Sequence, residues 1–302
     1  VLAGGLQVQE YGPGGVLRQS DGARVVHDAD GRLVERIVPD GRRWRYTWDG
    51  IGQLRAVVGP DGVATTFAYD ALGRRVRKTA GERATAYVWD GHDLVHEVPD
   101  GASAVTWVFE PGEFVPLARV DAGGRFMVVT DPVGAPVALV DEAGEIAWQA
   151  QLDLYGVAQT DVARTACPWR FPGQYEDPET GLYYNRTRYY DASLGRYISQ
   201  DIVGLLGGTN PYGYVADPYG EVDPFGLAGC PKDAQRKVRK GQGPRGISRI
   251  DSPKVKGEQW HAHLGPGEGS TAVNLDGTMK HGSASEITGE VRKFLRDHGW
   301  NL

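Results

Sequence analysis

Four aspartates, Asp28, Asp49, Asp70 and Asp90, recur every 20 or 21 residues, and each follows a ring-bearing side chain: His27, Trp48, Tyr69 or Trp89. A glycine closes each short segment, as in Asp28-Ala29-Asp30-Gly31, Asp49-Gly50-Ile51-Gly52, Asp70-Ala71-Leu72-Gly73 and Asp90-Gly91. Between these stand Pro39-Asp40-Gly41 and Pro60-Asp61-Gly62, with Pro99-Asp100-Gly101 after the last. One unit therefore reads as turn, strand, Pro-Asp-Gly turn, strand. Leu33–Val38 and Thr65–Tyr69 show the two-residue alternation of strands. Asp-Gly supplies the positive φ that tight hairpin turns require. A single hairpin is too small to bury its own face, so the units must stack side by side.

Composition agrees with a chain of short strands. Glycine accounts for 43 of 302 residues, beside 14 Tyr and 8 Trp. The glycines have no three-residue period, which excludes collagen. Apolar runs are short, as at Val137–Val140, so no helical membrane span is expected. Two cysteines, Cys167 and Cys230, exclude a disulfide scaffold and fail zinc-ribbon spacing.

The pattern Tyr69-Asp70-Ala71-Leu72-Gly73-Arg74 resembles the YD repeats of the Rhs family. A second block resembles the Rhs repeat-associated core. It comprises Arg170-Phe171-Pro172-Gly173-Gln174-Tyr175, then Gly181-Leu182-Tyr183-Tyr184-Asn185-Arg186-Thr187-Arg188-Tyr189-Tyr190-Asp191, then Gly195-Arg196-Tyr197-Ile198-Ser199. The likeness runs almost without interruption over 165–227. It implies a mainly β chain, an antiparallel β-hairpin shell with a plug, followed by a small α+β toxin domain. The divisions expected are 1–110 for the repeats, 111–227 for the core and 228–302 for the toxin. Residue 1 falls inside the repeat pattern, so an upstream part of the same shell is expected. The aromatic and arginine side chains of the block read as packing and stacking residues.

Asp201-Ile202-Val203-Gly204 and Asp223-Pro224-Phe225-Gly226-Leu227 resemble the two Asp-x-x-Gly motifs of self-cleaving Rhs proteins. The first departs from the pattern, with Ile202 where Pro is usual. The resemblance implies an aspartyl dyad, Asp201 and Asp223, that cuts the Leu227–Ala228 bond. Two carboxylates held close repel, so one is expected to keep a proton and the other to activate water. Asp-x-x-Gly is also ordinary turn chemistry, and Asp217-Pro218-Tyr219-Gly220 repeats it within the same stretch.

Charge changes sign near Leu227. Residues 1–227 hold 20 Lys and Arg against 31 Asp and Glu, a balance of −11; residues 228–302 hold 13 against 8, a balance of +5. A small basic unit points to a polyanionic target, nucleic acid first. The unit opens on Lys232, Arg236, Lys237, Arg239 and Lys240, a stretch placed against the RNA backbone. Strands are predicted at 259–264 and 271–275, a third at 278–281 after an Asp276-Gly277 turn, and a helix over Thr288–His298 capped by Gly299.

The strings Gly241-Gln242-Gly243-Pro244-Arg245-Gly246-Ile247 and Gln259-Trp260-His261-Ala262-His263 resemble a small polymorphic-toxin class regarded as ribonucleases, as do Leu275 to Gly282. A ribonuclease without metal or cofactor needs a base, an acid and cations on the phosphate. Strand alternation puts His261 and His263 on one face, with Trp260 and Ala262 on the other. The candidates are His261 or His263 as base, His281 as acid, and Arg245, Arg249 and Lys280 on the phosphate. Metal-dependent cleavage through the His-x-His pair, ADP-ribosyl transfer and a purely structural surface protein are the rival readings. The Rhs likeness further implies an exported effector whose toxin acts in the cytoplasm of a target cell. Its implied partners are RNA, secretion machinery components and a cognate immunity protein.

Overall fold

The computed structural model describes residues 8–110, 114–202, 204, 210–215 and 217–227. Beyond these it describes 234–235, 238–239, 241, 243–252, 258–265, 271–275, 277–296, 298, 300 and 302. Sixteen strands, β1 (Gln9–Tyr11) through β16 (Ala158–Ala163), form one antiparallel sheet in strict chain order. The sheet continues without a break in order past residue 110.

One side chain makes the repeated turn. Asp28 Oδ1 accepts the N–H of Asp30 at 3.0 Å and of Arg32 at 2.9 Å, while Gly31 N donates to the Asp28 carbonyl at 3.0 Å. Asp49 does the same with Ile51 and Gln53, and Asp70 with Leu72 and Arg74. The glycine three residues on sits at φ of 73°, 84° and 72° in these turns, a left-handed region where a Cβ is strained. The fourth unit differs: Asp90 pairs directly with Asp93 across a two-residue turn. From Trp48 onward, the ring before the aspartate ties one unit to the last. Trp48 Nε1 donates to the Leu33 carbonyl at 2.7 Å, Tyr69 Oη to Leu54 at 2.7 Å and Trp89 Nε1 to Arg75 at 2.8 Å.

The aromatic block folds as a second antiparallel sheet of β17 (Tyr175–Asp177), β18 (Leu182–Asn185), β19 (Arg188–Asp191) and β20 (Arg196–Tyr197). Nearly every residue of these strands is buried, and Leu182, Tyr184 and Tyr189 join Leu33, Leu54 and Phe67 of the large sheet in one core. Arg75 lies at the centre of the contact. Its guanidinium carbon is 4.4 Å from the Tyr184 ring and 4.8 Å from Tyr87, and Nη1 meets Asp177 Oδ2 at 2.5 Å. Lys78 Nζ reaches the other Asp177 oxygen at 3.1 Å. Both Arg75 and Asp177 are fully buried.

A third antiparallel sheet, β21 (Ile247–Asp251), β22 (His261–Leu264), β23 (Ala272–Asn274) and β24 (Met279–His281), is followed by helix α1 (Gly289–Arg296). Trp260, Ala262, Val273, Val291 and Leu295 share a core of their own. The predicted helix is thus present, while Gly299 and most of the basic stretch 232–240 lie outside the described residues.

Removing one member of a buried ion pair leaves the other charged and unsolvated, at a cost of about 3–5 kcal/mol. Asp177→Ala should therefore lower the unfolding free energy measured in urea by that order, with a lower midpoint. An unchanged midpoint would show that Arg75 and Lys78 find other partners.

Candidate functional site

Asp201 and Asp223, apart in sequence, meet at one buried arginine. Arg188 Nη2 stands 2.9 Å from Asp201 Oδ2 and 3.3 Å from Asp223 Oδ2. All three side chains are buried. Asp217, in the third Asp-x-x-Gly turn, is exposed. The turn at Asp201 forms with Ile202 in place: Gly204 N donates to the Asp201 carbonyl at 2.9 Å, and Ile202 points to solvent at 72% exposure. The guanidinium offsets the mutual repulsion on which the proton-sharing expectation rested.

The segment Asp223–Leu227 is gripped along its length. Asp223 Oδ1 accepts Leu227 N–H at 2.8 Å. Asn185 Nδ2 donates to the Asp223 carbonyl at 2.9 Å. The Phe225 carbonyl accepts from Thr187 Oγ1 at 2.7 Å, and the Gly226 carbonyl from Thr187 Oγ1 at 2.9 Å and from Arg188 Nε. Phe225 sets its ring edgewise on His92 and Phe114, with centroids 5.0 and 4.9 Å apart. Gly226 has φ +66°, and a Cβ there would lie 2.5 Å from the Asn185 carbonyl oxygen. Only glycine fits. Tyr197 Oη donates to Asp223 Oδ2 at 2.8 Å, and burial, then the Asp223 carboxylate, push its phenol well above the ordinary value. Ala228 lies outside the described residues.

A second cluster lies on β21–β24. Antiparallel pairing sets Asp251 opposite His261 and Arg249 opposite His263. His263 Nε2 is 3.1 Å and His261 Nε2 3.8 Å from Asp251 Oδ2. Lys280 Nζ lies 3.1 Å from His261 Nε2 and 2.6 Å from Glu258 Oε1. Arg249 Nε pairs with Asp251 Oδ2 at 2.9 Å. Ala272 separates His263 from His281 in the register, and its small side chain lets their rings approach to 5.8 Å. Arg245 is exposed in the turn before β21. Sequence reasoning missed Asp251 because it assigned no strand to 247–251. It also missed Arg188 and Tyr197, which it read as packing, and Asn185, to which it gave no role. The ligand atoms of Asp251, His261 and His263 all lie within 4.8 Å of one another, so a carboxylate does stand beside the His-x-His pair.

The model of the Teneurin YD-shell family matches residues 5–210, and the chain belongs to that family of Rhs-type YD-repeat proteins. It is 34% identical over 319 residues to double-stranded DNA deaminase toxin A of Burkholderia cenocepacia (91% of this chain, 22% of that protein). It is 39% identical over 232 residues to probable deoxyribonuclease RhsB of Dickeya dadantii (72% of this chain, 16% of that protein). With tRNA3(Ser)-specific nuclease WapA of Bacillus spizizenii, identity is 31% over 169 residues (54% and 7%). The chain thus spans under a quarter of these relatives' lengths. The crystal structure of TcdB2-TccC3-TEV has the same fold over 73% of this chain and 13% of its own, at a TM-score of 0.56 and 19% identity.

Burial first, then the Arg249 charge, lowers the His263 pKa below its ordinary 6.5, and Asp251 opposes the shift. Following the His263 ring by NMR, Arg249→Ala should raise the titration midpoint and Asp251→Asn should lower it. Opposite signs would contradict the contacts described.

Proposed function

We propose that this chain is part of an Rhs-type toxin whose shell cuts its own backbone after Leu227 and frees the basic segment beyond. One observation carries the reading: the buried Asp223 binds the Leu227 N–H at 2.8 Å, while Arg188 holds the Gly226 carbonyl and both aspartates. In the reaction, water adds to the Leu227 carbonyl carbon and gives a proton to one carboxylate. That proton passes to the Ala228 nitrogen as the C–N bond breaks. Arg188, which holds the neighbouring Gly226 carbonyl, supplies positive charge on the side of the developing oxyanion. Wild type is expected to run as two bands on a denaturing gel and Asp223→Asn as one, with Asp217→Asn cleaved like wild type. Equal cleavage in Asp223→Asn would overturn the reading.

The freed segment we read as a metal-independent ribonuclease. His263, kept neutral by burial and Arg249 and oriented by Asp251, suits the base that takes the 2′-OH proton. His281 suits the acid for the leaving 5′-oxygen, and Lys280 and Arg249 suit the phosphate. His261, held by Lys280 and by the Gln259 carbonyl at 3.0 Å, supports the cluster. Relatives are named for DNA deamination, deoxyribonuclease and tRNA nuclease action. Zinc deamination needs a His-x-Glu and a Cys-x-x-Cys, whereas this chain has His261-Ala262-His263 and cysteines only at 167 and 230. As an exported effector it would act on RNA in the target cytoplasm and require an immunity protein with an acidic surface.

A second reading, metal-dependent cleavage, draws on the convergence of Asp251, His261 and His263. Lys280 and Arg249 hydrogen-bond all three of those side chains, which favours the metal-free reading. The cleaved full chain should degrade total RNA in EDTA, and His263→Ala should lower the rate by about 10²–10⁴-fold. Loss of activity in EDTA, restored by zinc, would establish the metal reading instead.

A further inference from the structure

Tyr197 stands where phenylalanine would pack as well, and only its hydroxyl reaches the loop chemistry. The ring lies under the Arg188 guanidinium at 3.6 Å and meets the Tyr190 and Tyr214 rings at centroid distances of 5.7 and 6.0 Å. These contacts need no oxygen. The hydroxyl accepts from Asn185 Nδ2 at 2.6 Å, so its one proton goes to Asp223 Oδ2 at 2.8 Å. Burial keeps that proton on the phenol through the neutral range. Asp223 Oδ1 is meanwhile taken by the Leu227 N–H at 2.8 Å. The carboxylate is therefore fixed at both ends, and its rotation about the Cβ–Cγ bond is stopped. Asn185 closes the arrangement by donating to the Asp223 carbonyl at 2.9 Å from the same nitrogen. Tyrosine and asparagine come from the buried strands β20 and β18 rather than from the loop they hold.

We propose that Tyr197, oriented by Asn185, is a positioning residue for self-cleavage: it sets the plane of the Asp223 carboxylate against the Leu227 end of the bond to be cut. The inference rests on the self-cleavage reading above and adds a residue through which Asp223 acts.

The full chain is made by cell-free translation as wild type, Tyr197→Phe, Asn185→Ala and Asp223→Asn, and uncut precursor is followed on denaturing gels at several pH values. A hydrogen bond to a charged group sets the scale, so Tyr197→Phe should cut about 10- to 100-fold more slowly. Losing a donor disfavours the charged carboxylate, so the acid limb of the rate–pH profile should move to higher pH. Asn185→Ala should do the same to a smaller extent. Folding is checked by the thermal midpoint of Tyr197→Phe in the uncut Asp223→Asn background, which should match that background alone. A wild-type rate and profile in Tyr197→Phe would overturn the proposal, as would a slower rate with a collapsed midpoint and an unmoved profile. Wild-type cleavage in Asp223→Asn would instead remove the self-cleavage reading, and this inference with it.

Discussion

A carboxylate oxygen that binds backbone amides two and four residues ahead closes hairpin after hairpin in this chain. Asp28, Asp49 and Asp70 make that turn, as do Asp131, Asp141 and Asp153 further along the same sheet. Each bond is worth only about 1 kcal/mol, but the repetition fixes six of the reversals in the large sheet. Asp223 builds a variant of the turn, with its bond to the amide four residues on and Gly226 in the left-handed region. What differs is the second carboxylate oxygen. In two of the shell turns it faces an arginine four residues on, Asp28 facing Arg32 and Asp70 facing Arg74, near the surface. At Asp223 position four is Leu227, and the oxygen is turned inward to Tyr197 and Arg188. Burial and a change of partners convert a structural device into a reactive candidate.

That inward turn depends on the aromatic sheet. Arg188 and Asn185 lie on β19 and β18, whose Tyr189 and Tyr184 pack into the core of the large sheet. Arg75, boxed by tyrosines and paired with Asp177, pins the same two sheets together. The loop that holds Leu227 therefore inherits its geometry from the contact between shell and plug.

Much of this was legible in the sequence. The 20- to 21-residue period located the turns, and alternation located the strands around them. Trp260 and Ala262 do point inward and His261 and His263 to the other face, because a strand admits no other arrangement. Other parts were not legible. Arg188 sits in a block of tyrosines and arginines, where composition alone reads as packing. Only the fold reveals that one of these arginines meets Asp201 and Asp223, while Arg75 meets Asp177. Asp251 enters the histidine cluster through the register of β21 on β22, a long-range pairing with no local signal.

The account stands most directly on the intact mass of the purified wild-type chain. It predicts two species, one ending in the free carboxylate of Leu227 and one beginning at Ala228. A single species with the mass of the uncut chain, or a break at any other bond, would contradict it.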